Sequence, residues 1–550
     1  MNTLSAQAVV GQLAGPGNGG PYDAVATQDG GQTLCGIFSG TMDLDPGPGS
    51  TMVSCPGSTA AWVAKYDAAG IFSWGFALGN VGQVSARGLV EDENGYLHVV
   101  GYFDGSVDLD PDAGQMIVTS AGDWDIWYLV LDANGSFIRG GRIGGTDQQY
   151  PTDIGKDGNG SIWLSGVLNG PADMDPGPGT SFLSGSEDND AFIARYDLEG
   201  TLAWAYPIPG VPYLAPDSTT GDVYVTTGSQ TDWMTTQDLD PGTGLLPPLT
   251  EGEPSADYMA LLKLDMNGEL VWASIQRGHA DLNAWDNKGL AIEVDQQGNV
   301  YWAGSFINDF NAYPGNDLTL DAPGTSSDGF LVKYSSTGSL IWEKRFGAAN
   351  AFDHCSEILI GENGMVWVAG SFQGSAEVNS GGPSVQITSS GGYDIFLVAF
   401  DPSGELVWYG SVGGEADDGT PNLTAGPNGM RLSGFFNSTA DLDPTTGTST
   451  LTAQATDPFL VTFYPVLTTG VGPGERPAQL HVYPIPCTDV LYVEGAPLNC
   501  LLQLVNSVGG QVAAGVSDAP LYLHGVVPGY YVLRSIQGNT IVSTPVLVDE

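Results

Sequence analysis

The residues best suited to chemistry in this chain are paired aspartates in an Asp-x-Asp-Pro loop, first seen at Asp43 and Asp45. In an extended segment the two carboxylates lie on the same side, and the Pro-Gly that follows curls backbone carbonyls around them. Hard oxygen ligands on a tight loop suit calcium, which is the one cofactor we predict. The candidate calcium ligands are the acids of the five complete copies: Asp43, Asp45, Asp108, Asp110, Asp173, Asp175, Asp238, Asp240, Asp441 and Asp443.

A further acid precedes the third strand of most units and would give each loop three carboxylates if it approached the pair. It stands at Asp125, Asp190, Asp257, Asp328, Asp394 and Asp457, whereas the first unit has Ala60. The alternative is that the loop aspartates accept backbone N–H bonds and pin turns without any metal. Degenerate copies at Asp309 and Glu377 favour this structural role, because such a role tolerates loss.

The spacing of the loops indicates seven tandem units. From the first acid of one copy to the next, with the two degenerate copies included, the steps are 65, 65, 65, 71, 68 and 64 residues. Short apolar runs separated by Asn-Gly and Asp-x-x-Gly turns predict antiparallel strands. The four strands predicted for the second unit span residues 86–91, 96–103, 125–131 and 136–145. Four strands per unit predict a propeller blade, since only neighbouring blades can cover both faces of each sheet.

Two further features complete the fold prediction. A tryptophan recurs four residues after the glycine of the last turn, and we interpret it as a wedge between blades; the positions are Trp74, Trp204, Trp272, Trp342 and Trp408, with Arg139 in the second unit. The seventh unit stops at Tyr464 without a fourth strand, and residues 7–15 stand where such a strand would precede the first unit. We therefore predict an all-β protein with a seven-bladed β-propeller over residues 9–466, closed by the N-terminal strand in the last blade.

Composition excludes several classes of function. The formal charge of −48 would repel nucleic acid and anionic lipid head groups. No apolar run reaches about 18 residues, so no membrane span is predicted. Residues 1–8 resemble the end of a secretory signal peptide, with small residues around an Ala-x-Ala cleavage site.

The cysteines predict two local disulfides, Cys35 with Cys55 and Cys487 with Cys500, and one buried thiol at Cys355. No pair has the spacing of a metal site. The sequence also lacks HExxH, GxSxG and phosphate-binding glycine motifs, so we predict no enzyme. His354, between Asp353 and Cys355, is the only suggestive cluster, and three adjacent residues seldom converge as catalytic groups do.

At this point the repeat resembles a known family. Asp190–Asp197, with the sequence Asp-Ala-Phe-Ile-Ala-Arg-Tyr-Asp, and the Asp295–Tyr301 hairpin are similar to the bacterial SBBP β-propeller repeat. The resemblance covers about residues 9 to 466. It implies the propeller fold and says little about activity, because propellers carry many unrelated functions.

The repeat pattern ends before residues 467–478, whose composition predicts a flexible linker. The sequence of residues 479–550 predicts about seven short strands in a small β-sandwich. Val482-Tyr483-Pro484 with Pro486, the Gly509-Gly510 turn and Gly529-Tyr530-Tyr531 resemble the type A sorting domain of the type IX secretion system of Bacteroidetes. Ile485 stands where that family usually has Asn, and the chain ends on Glu550 instead of a basic residue. The resemblance implies an extracellular or surface protein that contacts the secretion machinery. An ordinary accessory sandwich is the alternative.

These observations leave three functional hypotheses. The first is a secreted or cell-surface binding or adhesion module that is not an enzyme and recognises a protein or a glycan. The second is a hydrolase or lyase acting on polysaccharide, which should show acids peculiar to one or two blades converging on a pocket. The third is a component of a surface assembly. Because the loop acids repeat around the ring, we favour the first hypothesis.

Overall fold

The computed structural model describes residues 9–185, 190–229, 239–240, 258–277, 287–307, 309–310, 320–322, 326–347, 351–361, 364–427, 429–445, 447–463, 481–483, 490–494, 501–505, 511–516, 520–523, 526–527, 529–537 and 540–548. Every regular element in these ranges is a β-strand, which confirms the prediction of an all-β protein.

The strands that precede the linker fall into seven groups in chain order. The first three groups and the strand before them comprise β1 (Val9–Gln12), β2 (Gly19–Ala26), β3 (Gln32–Phe38), β4 (Thr41–Asp43), β5 (Met52–Ser54), β6 (Ala60–Tyr66), β7 (Phe72–Leu78), β8 (Val84–Glu91), β9 (Leu97–Phe103), β10 (Ser106–Asp108), β11 (Ile117–Thr119), β12 (Asp125–Leu131), β13 (Phe137–Gly145), β14 (Gln149–Lys156), β15 (Ser161–Leu168), β16 (Ala172–Asp173), β17 (Phe182–Leu183), β18 (Asp190–Asp197) and β19 (Leu202–Pro209).

The remaining four groups comprise β20 (Tyr213–Pro216), β21 (Val223–Ser229), β22 (Tyr258–Leu264), β23 (Leu270–Arg277), β24 (Lys288–Val294), β25 (Val300–Phe306), β26 (Asp309–Phe310), β27 (Leu320–Asp321), β28 (Asp328–Tyr334), β29 (Leu340–Phe346), β30 (His354–Ile360), β31 (Val366–Phe372), β32 (Ser375–Glu377), β33 (Gln386–Thr388), β34 (Asp394–Phe400), β35 (Leu406–Gly414), β36 (Gly419–Gly426), β37 (Gly429–Asp441) and β38 (Thr450–Phe463).

Each of the first six groups contains four antiparallel strands paired in chain order, which we number sheet 1 to sheet 6; β13 of sheet 2 also pairs with β16 of the third group, and β35 of sheet 6 with β37 of the seventh. They are β2-β3-β6-β7, β8-β9-β12-β13, β14-β15-β18-β19, β20-β21-β22-β23, β24-β25-β28-β29 and β30-β31-β34-β35. Sheet 7 contains β36, β37 and β38. The four strands predicted for the second unit match β8, β9, β12 and β13 to within two residues at their ends.

The N-terminal strand supplies the fourth strand of sheet 7, as predicted. β1 runs antiparallel to β38, with Val9 opposite Thr462 and Gln12 opposite Phe459. The Gln12 amide also donates to Asp457 Oδ2 at 2.6 Å. The pairing thus joins the two ends of the repeat region and covers the edge of β38 that would otherwise be open.

The core consists of apolar layers between consecutive sheets. One layer joins Val63 of sheet 1 to Val99 of sheet 2, and similar layers follow at each junction along the chain. A seventh layer joins Leu460 of sheet 7 to Leu34 of sheet 1. No sheet has a core of its own, so burial of apolar area stabilises the sheets only in contact with their neighbours.

The tryptophans of the fourth strands lie at these junctions. Trp74 Nε1 donates to the Ala133 carbonyl in the last turn of sheet 2 at 3.1 Å, and its ring occupies the space that a Cβ at Gly135 would need. Trp204, Trp272 and Trp342 make the equivalent bonds to Met266, Ser336 and Pro402. The predicted wedge between neighbouring sheets is therefore confirmed at these positions.

Two arginines replace the tryptophan donor where it is missing. Arg139 of sheet 2 donates to the Leu198 carbonyl, which is the equivalent acceptor in sheet 3. Between sheets 7 and 1, buried Arg431 donates to the Ala68 carbonyl at 3.2 Å and to the Gly30 and Gly31 carbonyls at 2.7 Å each. At both junctions the equivalent turn carbonyl thus accepts a hydrogen bond from an arginine instead of a tryptophan.

The last seven strands form two further sheets. They are β39 (His481–Tyr483), β40 (Val490–Glu494), β41 (Leu501–Val505), β42 (Gln511–Val516), β43 (Leu521–Tyr522), β44 (Gly529–Gln537) and β45 (Thr540–Val548). The sheets have the orders β39-β40-β43 and β42-β41-β44-β45. Leu491 and Leu521 of the first pack with Leu504 and Val546 of the second in one core.

The cysteine prediction requires a correction. Cys35 and Cys55 are both free thiols, so the predicted disulfide between them is wrong. Cys35 is fully buried in the layer between sheets 1 and 2, whereas the Cys55 thiol lies 3.4 Å from the Gly57 carbonyl. Cys487 and Cys500 lie outside the described residues. Cys355 is free and fully buried, as predicted.

Candidate functional site

The Asp-x-Asp-Pro loops use their carboxylates to hold their own backbone. Asp43 Oδ1 accepts the N–H of Asp45 at 3.1 Å and the N–H of Thr51 at 2.7 Å, across the loop. Asp45 Oδ1 accepts the N–H of Gly47 at 2.8 Å. This is the pattern expected of a turn fixed by aspartate side chains.

The same bonds recur in the other described copies. Asp108, Asp173 and Asp441 each accept the N–H two residues on and the N–H eight residues on. The second acids Asp110, Asp175 and Asp443 each accept the N–H two residues on. Asp240 is half-buried, and Asp238 lies outside the described residues. The degenerate copy keeps part of the pattern, because Glu377 accepts the N–H of Val385.

The third acid of each unit binds elsewhere. Asp125 Oδ2 accepts the N–H of Ala121 at 2.8 Å and pairs with Arg142 at 2.6 Å, and its carboxyl carbon lies 2.4 Å from where a Cβ at Gly144 would stand. It therefore anchors the Gly-Gly end of the fourth strand of its own sheet. Asp328 pairs with Arg345, Asp394 accepts the N–H of Ser390, and Asp457 accepts the N–H of Gln454. Asp257 and the side chain of Asp190 are outside the described residues.

Among the described residues, no three His, Cys, Asp or Glu side chains are grouped as metal ligands would be. The loops nonetheless remain exposed acidic turns, and calcium binding by them stays a prediction.

A different set of acids faces a cavity of about 690 Å³. The first strands of all seven sheets line it: β2, β8, β14, β20, β24, β30 and β36. Four carboxyl groups reach it from four of these strands, and they are Asp23, Asp153, Glu293 and Glu357. This volume lies within the range of small-molecule sites, about 300–1,000 Å³.

Three of these acids bond to the next sheet. Asp23 Oδ2 accepts the N–H of Leu89 at 2.8 Å, and Asp153 Oδ2 accepts the N–H of Leu214 at 2.9 Å. Glu357 Oε1 accepts the N–H of Leu423 at 3.2 Å. All three acids stand where the pairing of the first two strands shifts by one residue, and such bulges re-aim a side chain.

Glu293 differs from the other three. Its Oε2 atom accepts the N–H of its own neighbour Val294 at 3.2 Å, a bond that does not cross to another sheet. It follows its strand's pairing shift by two residues, so its register position differs from that of Asp23. Glu293 is therefore the cavity acid best placed to contact a ligand.

The cavity acids hold their protons to unusually high pH. Burial raises the pKa of Asp23 to about 7 and that of Asp153 to about 8, although backbone N–H bonds favour the ionised form of both. Burial also raises the pKa of Glu293 to about 7. For Glu357, burial followed by the negative charge of Asp23 raises the pKa well above its usual value. All four side chains are half-buried, because they reach the cavity.

Other groups complete the cavity wall. Arg87 stacks its guanidinium on the ring of Tyr22, 3.9 Å from the ring centroid. Burial, assisted by Lys288, lowers the pKa of His354 to about 4, so this imidazole is neutral at physiological pH. The two neighbouring side chains are engaged elsewhere. Asp353 accepts the N–H of Gln373, and Cys355 is fully buried. The three adjacent residues do not form a catalytic group.

Sequence reasoning missed the four cavity acids because it followed the repeat, and these acids do not recur in every unit. A signal was present. Asp153 precedes Ile154, and Glu357 precedes Ile358, each in the interior of a first strand. A lone acid in the middle of a strand needs a partner or a cavity.

Comparison with known proteins gives only distant similarities. No family model matches the chain. A stretch of 147 residues, 26% of the chain, is 33% identical to the regulatory protein FlaEY of Caulobacter vibrioides and spans 14% of that protein. A Dyadobacter fermentans protein of unknown function matches 84% of this chain and 98% of its own, at 11% identity and a TM-score of 0.35.

The extracellular domain of a two-component system protein of B. thetaiotaomicron matches 96% of this chain and 81% of its own, at 11% identity and a TM-score of 0.24. At these TM-scores the similarities carry no argument about fold or function. In the part of the chain that the structure describes, no helix has the length and apolar character needed to cross a membrane.

Proposed function

We propose that residues 9–466 form a closed seven-bladed β-propeller that works outside the cell as a non-enzymatic binding or adhesion module, with its ligand site in the cavity. The observation that carries the proposal is that first strands from all seven sheets line one cavity. The apolar layer between sheets 7 and 1 and the pairing of β1 with β38 support closure. Single-particle images of the purified protein test the fold, which requires seven sectors; six or eight would contradict it.

A ligand screen tests the binding function. Soluble oligosaccharides and peptides are titrated calorimetrically into the wild type, into Glu293→Gln and into the control Glu199→Gln, which alters an exposed turn residue. We expect a ligand whose affinity falls at least about tenfold in Glu293→Gln and is unchanged in the control. A ligand that binds both variants as it binds the wild type would place the site elsewhere.

Export by the type IX system is the second part of the proposal, and it rests on the resemblance of residues 479–550 to a sorting domain. The test fuses residues 467–550 to a folded reporter behind a signal peptide in a bacterium with this system. We expect the reporter in the medium or on the surface, and in the periplasm when the system is deleted. Periplasmic reporter in both strains would leave the domain an ordinary accessory sandwich.

Calcium stabilisation of the loops is the third part. The motivating observation is that the carboxylates of Asp43 and its counterparts, each held by two backbone N–H bonds, recur on short acidic turns together with a second aspartate. Calorimetry of the chelated protein with and without millimolar calcium tests it. A rise of several degrees in the melting temperature supports ion-binding loops, and no change removes them.

An enzyme acting on polysaccharide is the second candidate, and one observation favours it. The four cavity acids are not part of the repeat, and their raised pKa values are of the kind that catalytic acids have. Cross-sheet bonds explain three of the four without catalysis, so we rank this function lower. Release of reducing or unsaturated ends from a polysaccharide panel by the wild type, but not by Glu293→Gln, would reverse the ranking.

A further inference from the structure

Around the cavity, side chains of three first strands form hydrogen bonds to the next sheet. Asp23, Asp153 and Glu357 bridge sheets 1 and 2, 3 and 4, and 6 and 7 by accepting one backbone N–H each. In sheet 7 the register position equivalent to Asp23 is held by Asn422, an uncharged amide. This position therefore accommodates an uncharged side chain, and a protonated carboxyl group is likewise uncharged.

The charged groups that face the cavity come from five of its seven first strands. β2 brings Asp23, β8 brings Arg87, β14 brings Asp153 and Lys156, β24 brings Glu293 with Lys288 at its start, and β30 brings His354 and Glu357. β20 brings only the weakly acidic Tyr213, and β36 brings no ionisable group.

Two of the basic groups are directed to other partners. Lys156 donates to the Glu91 carbonyl, and Arg87 stacks on Tyr22 and bonds Tyr102. Ionisation of all four acids would thus set like charges against one another across a small cavity, with little compensation nearby.

We propose that protonation controls the contacts between sheets around the cavity. Protonated carboxyl groups on the first strands join neighbouring sheets around an uncharged cavity, and loss of these protons weakens the contacts by mutual repulsion. This inference rests on the closed arrangement of sheets in the proposed function, and it holds whether or not the cavity binds a ligand.

The direction of the pH effect follows from the pKa values. In the unfolded chain Asp23, Asp153 and Glu293 ionise near pH 4, whereas in the folded protein their pKa values are about 7, 8 and 7. Between those limits the folded state binds more protons, so stability falls as pH rises. Each unit of pKa difference changes the unfolding equilibrium constant about tenfold, and water in the cavity reduces the full effect.

The experiment compares the full-length wild type, the double variant Asp153→Asn with Glu357→Gln, and the exposed control Glu405→Gln by urea unfolding at about pH 5 and about pH 8. We expect the unfolding equilibrium constant of wild type and control to rise at least about tenfold between these pH values. The double variant should rise much less, and at the higher pH it should be the most stable of the three. An equal rise in the double variant would overturn the proposal.

Infrared titration keeps the proposal testable if the double variant does not fold. The carbonyl stretch of protonated carboxyl groups should persist in the folded wild type at about pH 6 and disappear by about pH 9. The single variants Asp23→Asn and Glu293→Gln, measured in the same way, assign the band to the cavity. Absence of the band at the lower pH, or a band unchanged in both single variants, would overturn the proposal.

Discussion

The loops and the cavity wall use the same type of side chain for opposite purposes. In the loops, Asp43 is only partly buried and accepts two N–H bonds of its own turn. Burial acts to raise its pKa, but hydrogen bonds from the Thr51 N–H, the Ser50 side chain and the Asp45 N–H together hold it below the usual value. In the cavity wall, Asp153 accepts an N–H of the neighbouring sheet, and burial raises its pKa to about 8. The repeated acids thus shape a unit, and the unrepeated ones lie where the units meet.

The difference between the loop acids and the cavity acids shows which kinds of residue can be recognised from a tandem repeat in the sequence. A role that most units need recurs at a regular spacing, so the turn-fixing acids and the tryptophans between sheets are visible in the sequence. A role that the assembled ring needs once or a few times leaves no period. Functional residues of repeat proteins are therefore to be sought among the departures from the repeat.

The largest effect is expected at the junction between sheets 7 and 1, where an unrepeated residue is purely structural. Arg431→Met leaves the Gly30, Gly31 and Ala68 carbonyls without this donor. Arg431 makes three charge-assisted hydrogen bonds of about 1.5–3 kcal/mol each. The Gly31 carbonyl also accepts the N–H of Thr27, and Gly30 and Ala68 are only half-buried, so we expect a loss of about 4 kcal/mol in the free energy of unfolding, measured in urea.

The matched variant Arg139→Met removes the donor to the single Leu198 carbonyl and should cost about 1–2 kcal/mol. Equal losses in the two variants would show that the junction between the last and first sheets is no different from the others.

The next effect concerns a repeated loop acid. Asp441→Ala removes the acceptor of two N–H groups, those of Asp443 at 3.2 Å and Ser449 at 2.8 Å. We expect a loss of about 3 kcal/mol in unfolding free energy. Asp441→Asn keeps one acceptor oxygen and should cost about 1 kcal/mol. A silent Ala variant would mean that the loop holds its shape without the carboxylate.

A third prediction has the opposite sign. Asp394 occupies the position of Asp125, but Ser411 stands where Arg142 would be, and Asp418 lies nearby. Burial, with the charge of Asp418, raises the pKa of Asp394 to about 6, so ionisation destabilises the fold as pH rises from about 4 to about 6. Asp394→Asn should therefore stabilise the protein at pH 7 by about 1–2 kcal/mol and have little effect at about pH 4.

The control is Asp125→Asn, which removes the carboxylate partner of Arg142. Burial raises the pKa of Asp125 as well, although Arg142 acts to lower it, so we expect a smaller gain at pH 7 from this variant than from Asp394→Asn. If both variants stabilised the protein equally, the missing arginine would not explain the difference between these two junctions.

Much of the fold was predictable, because periodicity and turn chemistry are local. The Asn94-Gly95 turn, the strand ends of the second unit and the strand supplied by residues 9–12 all follow from the sequence. The cavity was not predictable, since Asp23 and Glu357 are far apart in the chain and meet only through assembly of the sheets. The Cys35–Cys55 disulfide failed for a related reason: side chains alternate faces in a strand, and Cys35 points into the layer between sheets 1 and 2.

The smallest effect separates the two interpretations of the loops. Asp45 is only partly buried, and its Oδ1 accepts one N–H, from Gly47 at 2.8 Å. If that bond is its whole role, Asp45→Ala lowers the unfolding free energy by about 0.5–1 kcal/mol, by the same amount in chelator and in millimolar calcium. If the carboxylate also binds the ion, the loss is larger in calcium, because the wild type alone gains binding energy. Paired urea titrations in the two buffers distinguish these outcomes, and Glu405→Gln, an exposed acid outside the loops, controls for the general effect of calcium on a protein of such high negative charge.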